Sequence, residues 1–246
     1  MNQQTVRRWF DEVYATRGLS YLRPPEAYPI FVHLVGAREG EALLDVACGP
    51  GLLLRAAVER GVRAYGVDLS RVAAALVPRT AAGARAAVGN AEILPFRDGI
   101  FDRVTCIGSL ERVLDREAAL REMRRVARPG ARLCLMVRNS RTLSWWAHAE
   151  LLRRRNVAGH QDAAGIESWT RLFERLGFSV DDVLPDQWLR QRLRRALGIS
   201  WEAQRDRVAR PILPLRFANE FIFLLRATGG QGERGPGAGA ARRPEA

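Results

Sequence analysis

The sequence predicts one α/β domain in which seven strands alternate with helices. Three observations carry that prediction. Short apolar runs alternate with amphipathic stretches. Glycines sit where helices should stop. The chain, 246 residues with 47% hydrophobic content, is long enough for one full core.

Taken in order, residues 42–47 (ALLDVA) read as a buried strand that runs into a Gly/Pro turn. Residues 52–60 then read as helix, with Gly61 as its stop. A second strand spans 63–68, and Ser70 is placed to cap an Ala-rich helix reaching about residue 82. Strands follow at 84–89 and 101–108, then an amphipathic helix at 116–127. Arg128-Pro129-Gly130 should break that helix before a strand at 131–137. A helix at 167–176, closed by Gly177, precedes a strand at 178–184, and the last strand spans 220–227. Segments 139–166 and 185–217 interrupt the alternation and hold four of the six tryptophans, Trp145, Trp146, Trp188 and Trp201. From Gly229 to Ala246 the chain is Gly/Pro/Ala-rich without periodicity and is expected to be a disordered tail.

Composition removes several classes of function. The net charge is +12, yet all 39 basic residues are arginine and none is lysine, which reads as coding bias more than as a surface selected for nucleic acid. The charge is also localised: residues 112–138 hold eight arginines against three acids, and residues 186–216 again hold eight against three. Cys48, Cys106 and Cys134 are too few for a disulfide scaffold and lack zinc-ligand spacing, so no metal is expected. No run approaches a membrane span, and the N-terminus has no apolar h-region, so a cytoplasmic location is expected.

The stretch from Leu43 to Gly51, LLDVACGPG, is the most informative. A strand entering a tight glycine turn that opens a helix lets a ligand lie at the strand's carboxyl end. The third glycine of a dinucleotide fingerprint would fall at Leu54. Asp45 beside the turn disfavours a phosphate and favours a cation, so a nucleoside bearing an ammonium and a sulfonium fits better. An ordinary strand–turn–helix with a solvated Asp is the alternative. Asp68 ends the next strand 19 residues after Gly49, the position from which a carboxylate accepts both ribose hydroxyls. Alone it reads equally as a helix-capping acid; with the loop, the nucleoside reading prevails.

Five motifs in order, DVACGPG, YGVDLS, GNAEILPF, FDRVTCIGSLERVLD and REMRRVARPGARLCLMV, closely resemble those of the class I S-adenosylmethionine-dependent methyltransferases. The subgroup acting on small molecules, which includes quinone-biosynthesis and natural-product enzymes, is most similar. The resemblance is strong over 43–137 and loose over 9–228. It implies a Rossmann-like sheet of seven strands, order 3-2-1-4-5-7-6, the last strand antiparallel and helices on both faces. It implies S-adenosyl-L-methionine as cofactor, with Asp45, Ala47, Gly49 and Gly51 along its methionine part. Asp68 would hold the ribose hydroxyls and Leu69 would pack on the adenine. Asn90 and Ala91 stand where the family often has Asp-Ala on the adenine amino group; the Asn oxygen can still accept that bond. Ile107 and Gly108 would lie beside the reactive methyl. One domain over 1–228 is implied, with 1–40 as an N-terminal helical lid carrying Tyr14, Tyr21 and Arg23, and with 139–166 and 185–217 as lid insertions.

The methyl acceptor is read from the fourth strand onward. Cys106-Ile107-Gly108-Ser109 matches neither the (N/D)PP(Y/F) pattern of base amino-methyltransferases nor the Pro-Cys of cytosine C5 enzymes. This argues against nucleic acid and for a small, partly apolar or aromatic acceptor, methylated on oxygen, nitrogen or carbon. Many small-molecule relatives carry Glu-His where this chain has Glu111-Arg112, and an arginine cannot take a proton. Glu111 is therefore a candidate base or substrate contact, with a helix-start acid as the alternative. His148 and His160, in the first insertion, are candidate bases; His33 reads as structural or exposed. Residues 187–197 form a basic amphipathic pattern that suits either a lid packed on the pocket or peripheral contact with an anionic membrane. An RNA or protein methyltransferase using the arginines, and a non-catalytic binding protein of the same fold, are the alternative functions.

Overall fold

A computed structural model describes residues 2–142, 145, 163–186, 197–198, 215 and 218–228. The strands are β1 (Ala42–Val46), β2 (Arg63–Asp68), β3 (Arg85–Val88), β4 (Phe101–Ile107), β5 (Ala127–Arg138), β6 (Phe178–Pro185) and β7 (Glu220–Ala227). They form one sheet of order β3-β2-β1-β4-β5-β7-β6, in which β7 runs antiparallel to both β5 and β6. The helices are α1 (Gln3–Arg17), α2 (Pro29–Leu34), α3 (Leu52–Val58), α4 (Arg71–Thr80), α5 (Arg116–Val126) and α6 (Ile166–Arg175). Both the expected strand order and the expected helix–strand succession are present.

Central strands covered on both faces must be apolar on both. Leu44, Val46, Val104, Leu133 and Leu135 pack with α5 and α6 through Leu120, Met123, Trp169 and Phe173. On the other face Leu43, Cys134 and Met136 pack with α2, α3 and α4 through Phe31, Leu53, Leu54 and Val77. All three cysteines are buried free thiols. Local signals hold the ends. Ser70 Oγ accepts from Ala73 N at 3.1 Å, which caps α4. After α3, Gly61 N donates to Val58 O and Val62 N to Ala57 O, with Gly61 at φ +71°, a left-handed stop of the kind its position predicts.

One boundary differs from expectation. Arg128-Pro129-Gly130 does not separate helix from strand; β5 begins already at Ala127, directly after α5. Ala127 pairs with Phe101, the register then shifts, and pairing resumes at Arg103↔Arg132. The three residues are accommodated as an exposed bulge at the start of the strand, where proline's missing N–H costs no ladder bond. Most of both insertions, including Trp146, Trp188 and Trp201, the basic pattern at 187–196, and the tail from 229 lie outside the described residues. No helix among the described residues is long and apolar enough to cross a membrane.

Candidate functional site

The carboxyl ends of β1, β2 and β4 open into a two-lobed cavity, the larger lobe about 320 Å³. Register sets its floor. Asp45 pairs across the sheet with Thr105 on one side and Gly66 on the other. The Thr105 hydroxyl consequently reaches Asp45 Oδ1 at 2.7 Å. Opposite, a side chain on Gly66 would collide with Cys48 Sγ at 2.6 Å and Leu54 Cδ1 at 2.8 Å, so that glycine lets the turn after β1 sit directly on the sheet. The turn is sharply wound. Ala47 has φ +59°, the left-handed region a non-glycine residue enters at a cost, followed by Gly49 at +54° and Gly51 at +88°.

Asp68, at the end of β2, joins the two loops. Its Oδ2 accepts from Gly49 N at 2.7 Å and its Oδ1 from Ser70 N at 2.8 Å. Each oxygen keeps a further lone-pair direction for a ligand hydroxyl. Burial raises its pKa to about 6, against the lowering effect of the Ser70 and Gly49 N–H bonds. Burial raises Asp45 further, to about 7, with the Thr105 bond pulling it down and the Asp68 charge pushing it up. Both carboxyls thus titrate nearer neutrality than a free aspartate, and an arriving positive charge favours their ionised forms.

Nine of the ten residues expected on the cofactor come together here. The smaller lobe is lined by Ala47, Asp68, Leu69, Asn90 and Ala91, and the larger by Asp45, Ala47, Gly49, Ile107 and Gly108. Gly51 is the exception. It is buried where α3 begins, and a Cβ there would lie 3.3 Å from Val77. Asn90 Oδ1 already accepts from Glu92 N at 3.0 Å, which fixes the side chain and leaves one acceptor direction. Among the proposed catalytic residues, Glu111 is buried to 1% exposure, lines neither lobe, and has an Oε2 with no hydrogen-bond partner. Burial raises its pKa. His148 and His160 lie outside the described residues, and His33 is exposed on α2.

Other residues at the site gave no motif signal. Gln3, Val6, Phe10 and Tyr14 recur at three- to four-residue spacing along one face of α1 and line the smaller lobe. That periodicity was readable in the sequence, but it has no partner motif to mark it as a site. Tyr14 and Tyr21 meet edge to face, and both line the larger lobe with Arg23. Arg23 is tied by a fork of two 3.0 Å bonds to Asp186 and by a short bond to Glu220. Arg138 and Glu220 arrive from facing ends of β5 and β7, where they are register partners.

Asp11 docks α1 onto the start of α4. Its Oδ1 accepts from Ser70 Oγ at 2.6 Å and from Val72 N at 3.2 Å, at the N-terminus of α4. Asp11→Ala is expected to loosen α1 and weaken any ligand enclosed beneath it by about 5- to 10-fold, the size of a lost cap. Amide hydrogen exchange should show α1 less protected in the variant; unchanged protection would mean α1 is held by its apolar face alone.

Comparison with known proteins agrees with this geometry. A family model described as a methyltransferase domain matches residues 44–135. A demethylmenaquinone methyltransferase of Mycobacterium bovis (strain BCG / Pasteur 1173P2) is 34% identical over 171 residues, 66% of this chain and 69% of that protein. A demethylmenaquinone methyltransferase of Beutenbergia cavernae is 40% identical over 99 residues, 40% of this chain and 41% of that protein. The chain thus spans between about two-fifths and just over two-thirds of the length of these relatives. Among solved structures, the geranyl diphosphate C-methyltransferase from Streptomyces coelicolor A3(2) was crystallised with Mg2+, geranyl-S-thiolodiphosphate and S-adenosyl-L-homocysteine. It superposes with a TM-score of 0.65 at 15% identity, over 92% of this chain and 98% of that one, a likeness of fold.

Proposed function

The chain belongs to the class I S-adenosylmethionine-dependent methyltransferases, and from that premise we propose that it methylates an oxygen, nitrogen or carbon of a small, partly apolar or aromatic molecule. The observation that carries the reading is Asp68, whose two oxygens each spend one bond on a loop N–H and keep one for a ribose diol. The rest of the cavity fits the cofactor. Asp45, Ala47 and Gly49 meet its methionine part, Gly51 shaping the turn from behind. Leu69 packs on the adenine, Asn90 and Ala91 hold its amino edge, and Ile107 and Gly108 stand beside the methyl. Bound there, S-adenosylmethionine supplies an electrophilic methyl: an acceptor atom bonds to the methyl carbon while the carbon–sulfur bond breaks and leaves its electron pair on sulfur. This chain's contribution is to bind, align and exclude water, which suits so activated a group.

Residues 1–40 act as a lid in this reading; the insertions 139–166 and 185–217, expected to roof the acceptor, fall largely outside the described residues. Relatives acting on demethylmenaquinone support an apolar, aromatic acceptor. Incubation with methyl-labelled cofactor and fractionated cell extract tests this. Label in an organic-extractable small molecule is the expected outcome; label in RNA or protein would reassign the acceptor, and cofactor binding without turnover would leave a binding protein.

The two raised carboxyls make affinity depend on pH. A cationic ligand prefers both ionised, so below their pKa values of about 7 and about 6 binding must first release protons. Affinity for S-adenosylmethionine is expected to rise with pH and to level off above Asp45's pKa, with about 20-fold weaker binding at pH 6 than at pH 8. Calorimetry in two buffers of different ionisation enthalpy should detect the released protons. A flat affinity profile would place the positive charge elsewhere.

A further inference from the structure

Resting on that cofactor assignment, we infer that the acceptor is an acidic hydroxyl compound, a phenol or enol, bound as its anion with the oxyanion on Arg112. The larger lobe holds three guanidinium groups among the described residues. Arg23 is committed to Asp186 and Glu220. Arg138 pairs with Glu220 at 3.5 Å and lies over the Trp145 ring. Arg112 lines both lobes, and among the described residues no carboxylate is bonded to it. Its Nη1 is buried without a hydrogen-bond partner, and its guanidinium carbon stands 5.9 Å from the Phe10 ring centre. A buried N–H of a cation left unpaired is unfavourable until an anion meets it.

Among the described residues, no carboxylate, phenol or thiol that the geometry leaves unengaged faces that lobe to take a proton from a neutral acceptor. Burial holds Tyr14 and Tyr28 protonated well beyond the usual phenol range, and Cys48 likewise as a thiol. Glu220 is occupied by two arginines. Asp45 is bonded to Thr105 on the cofactor side, and Glu111 does not line the cavity. An acceptor methylated on the oxygen of its anion has no proton to lose as the new carbon–oxygen bond forms and the carbon–sulfur bond breaks, and an arginine suits it where a base would not. The aromatic walls, Phe10, Tyr14 and Tyr21, suit a flat conjugated anion.

The test uses 4-nitrophenol and 4-nitro-1-naphthol, whose anions absorb at wavelengths their neutral forms do not. Each is titrated from acid to alkaline pH with excess full-length protein saturated with S-adenosylhomocysteine. Bound probe is expected to show its apparent pKa lowered by about 1, a tenfold preference for the anion. Arg112→Met and Arg112→Gln should abolish the shift, Arg112→Lys should keep part of it, and circular dichroism melts identify a variant that fails to fold. An equal shift in Arg112→Gln, no shift in the native protein, or no binding of either anion overturns the inference. So does loss of S-adenosylhomocysteine affinity in Arg112→Gln, which would place the arginine on the cofactor. Calorimetry of S-adenosylhomocysteine on the native protein separates the two readings. If it binds and the phenolates fail, the anion inference alone fails; if it does not bind, the cofactor assignment fails first.

Discussion

Asp68→Ala should weaken binding of S-adenosylmethionine by about 100-fold or more, the loss of two hydrogen bonds to a charged acceptor at about 1.5 kcal/mol each. The carboxylate does two jobs, and the variant removes both. It accepts from Gly49 N and Ser70 N, which sets the turn after β1 against the start of α4. In the proposed complex it also offers the ribose its acceptors. Asp68→Asn keeps the volume but not the charge: one side-chain oxygen survives as an acceptor, and the amide nitrogen now opposes a backbone N–H. Affinity should fall in Asp68→Asn nearly as far as in Asp68→Ala, with a thermal midpoint close to the native one in neither. Isothermal calorimetry with S-adenosylhomocysteine measures the first and circular dichroism melts the second. Near-native affinity in Asp68→Ala would remove the residue from the site.

Trp169→Ala carries the largest expected loss of stability, about 3–5 kcal/mol, which lowers Tm by about 10 °C in a domain of this size. The indole is 1% exposed on α6, stacked on Phe173 at 5.9 Å, and Phe173 in turn meets Phe223 on β7 edge to face at 4.9 Å. Its Nε1 donates to the Arg138 carbonyl at 3.2 Å, and Arg116 lies over its face. The cavity left behind thus opens beside the strand end that carries Arg138 to the site. Trp169→Phe keeps most of the apolar area and loses only the bond to Arg138, so it should cost about 1 kcal/mol. Urea unfolding of the three proteins gives the comparison. A Trp169→Ala loss near that of Trp169→Phe would mean that the site collapses around the smaller side chain.

Local chemistry explains what the sequence made legible. The turn after β1, the acid ending β2 and the cap at Ser70 are each marked by residue types within a few positions, and their combination points to one arrangement. Gly66 shows the limit. Its reason, contact with Cys48 and Leu54, depends on the register of β1 and β2 and on the fold of the turn between them. Asp11 shows it more strongly, because it acts on Ser70, 59 residues away in the chain. The Arg23–Asp186–Glu220 cluster joins three distant segments that no spacing connects. The strand expected at 131–137 instead reaches back to Ala127 because the exposed start of the strand absorbs Arg128-Pro129-Gly130 as a bulge, a tertiary solution that local turn chemistry does not reveal. The cavity residues at the ends of β1, β2 and β4 were thus readable from short motifs, whereas the wall formed by Arg23, Arg138 and Glu220 is assembled by long-range packing.

A crystal structure of the complex with S-adenosylhomocysteine tests the central claim most directly. The account predicts both ribose hydroxyls within about 2.6–2.9 Å of the Asp68 oxygens, the adenine against Leu69, and the sulfur at the mouth of the larger lobe facing Ile107 and Gly108. A ligand bound with its ribose away from Asp68, or a cavity under α1 that stays without density at saturating ligand, would contradict it.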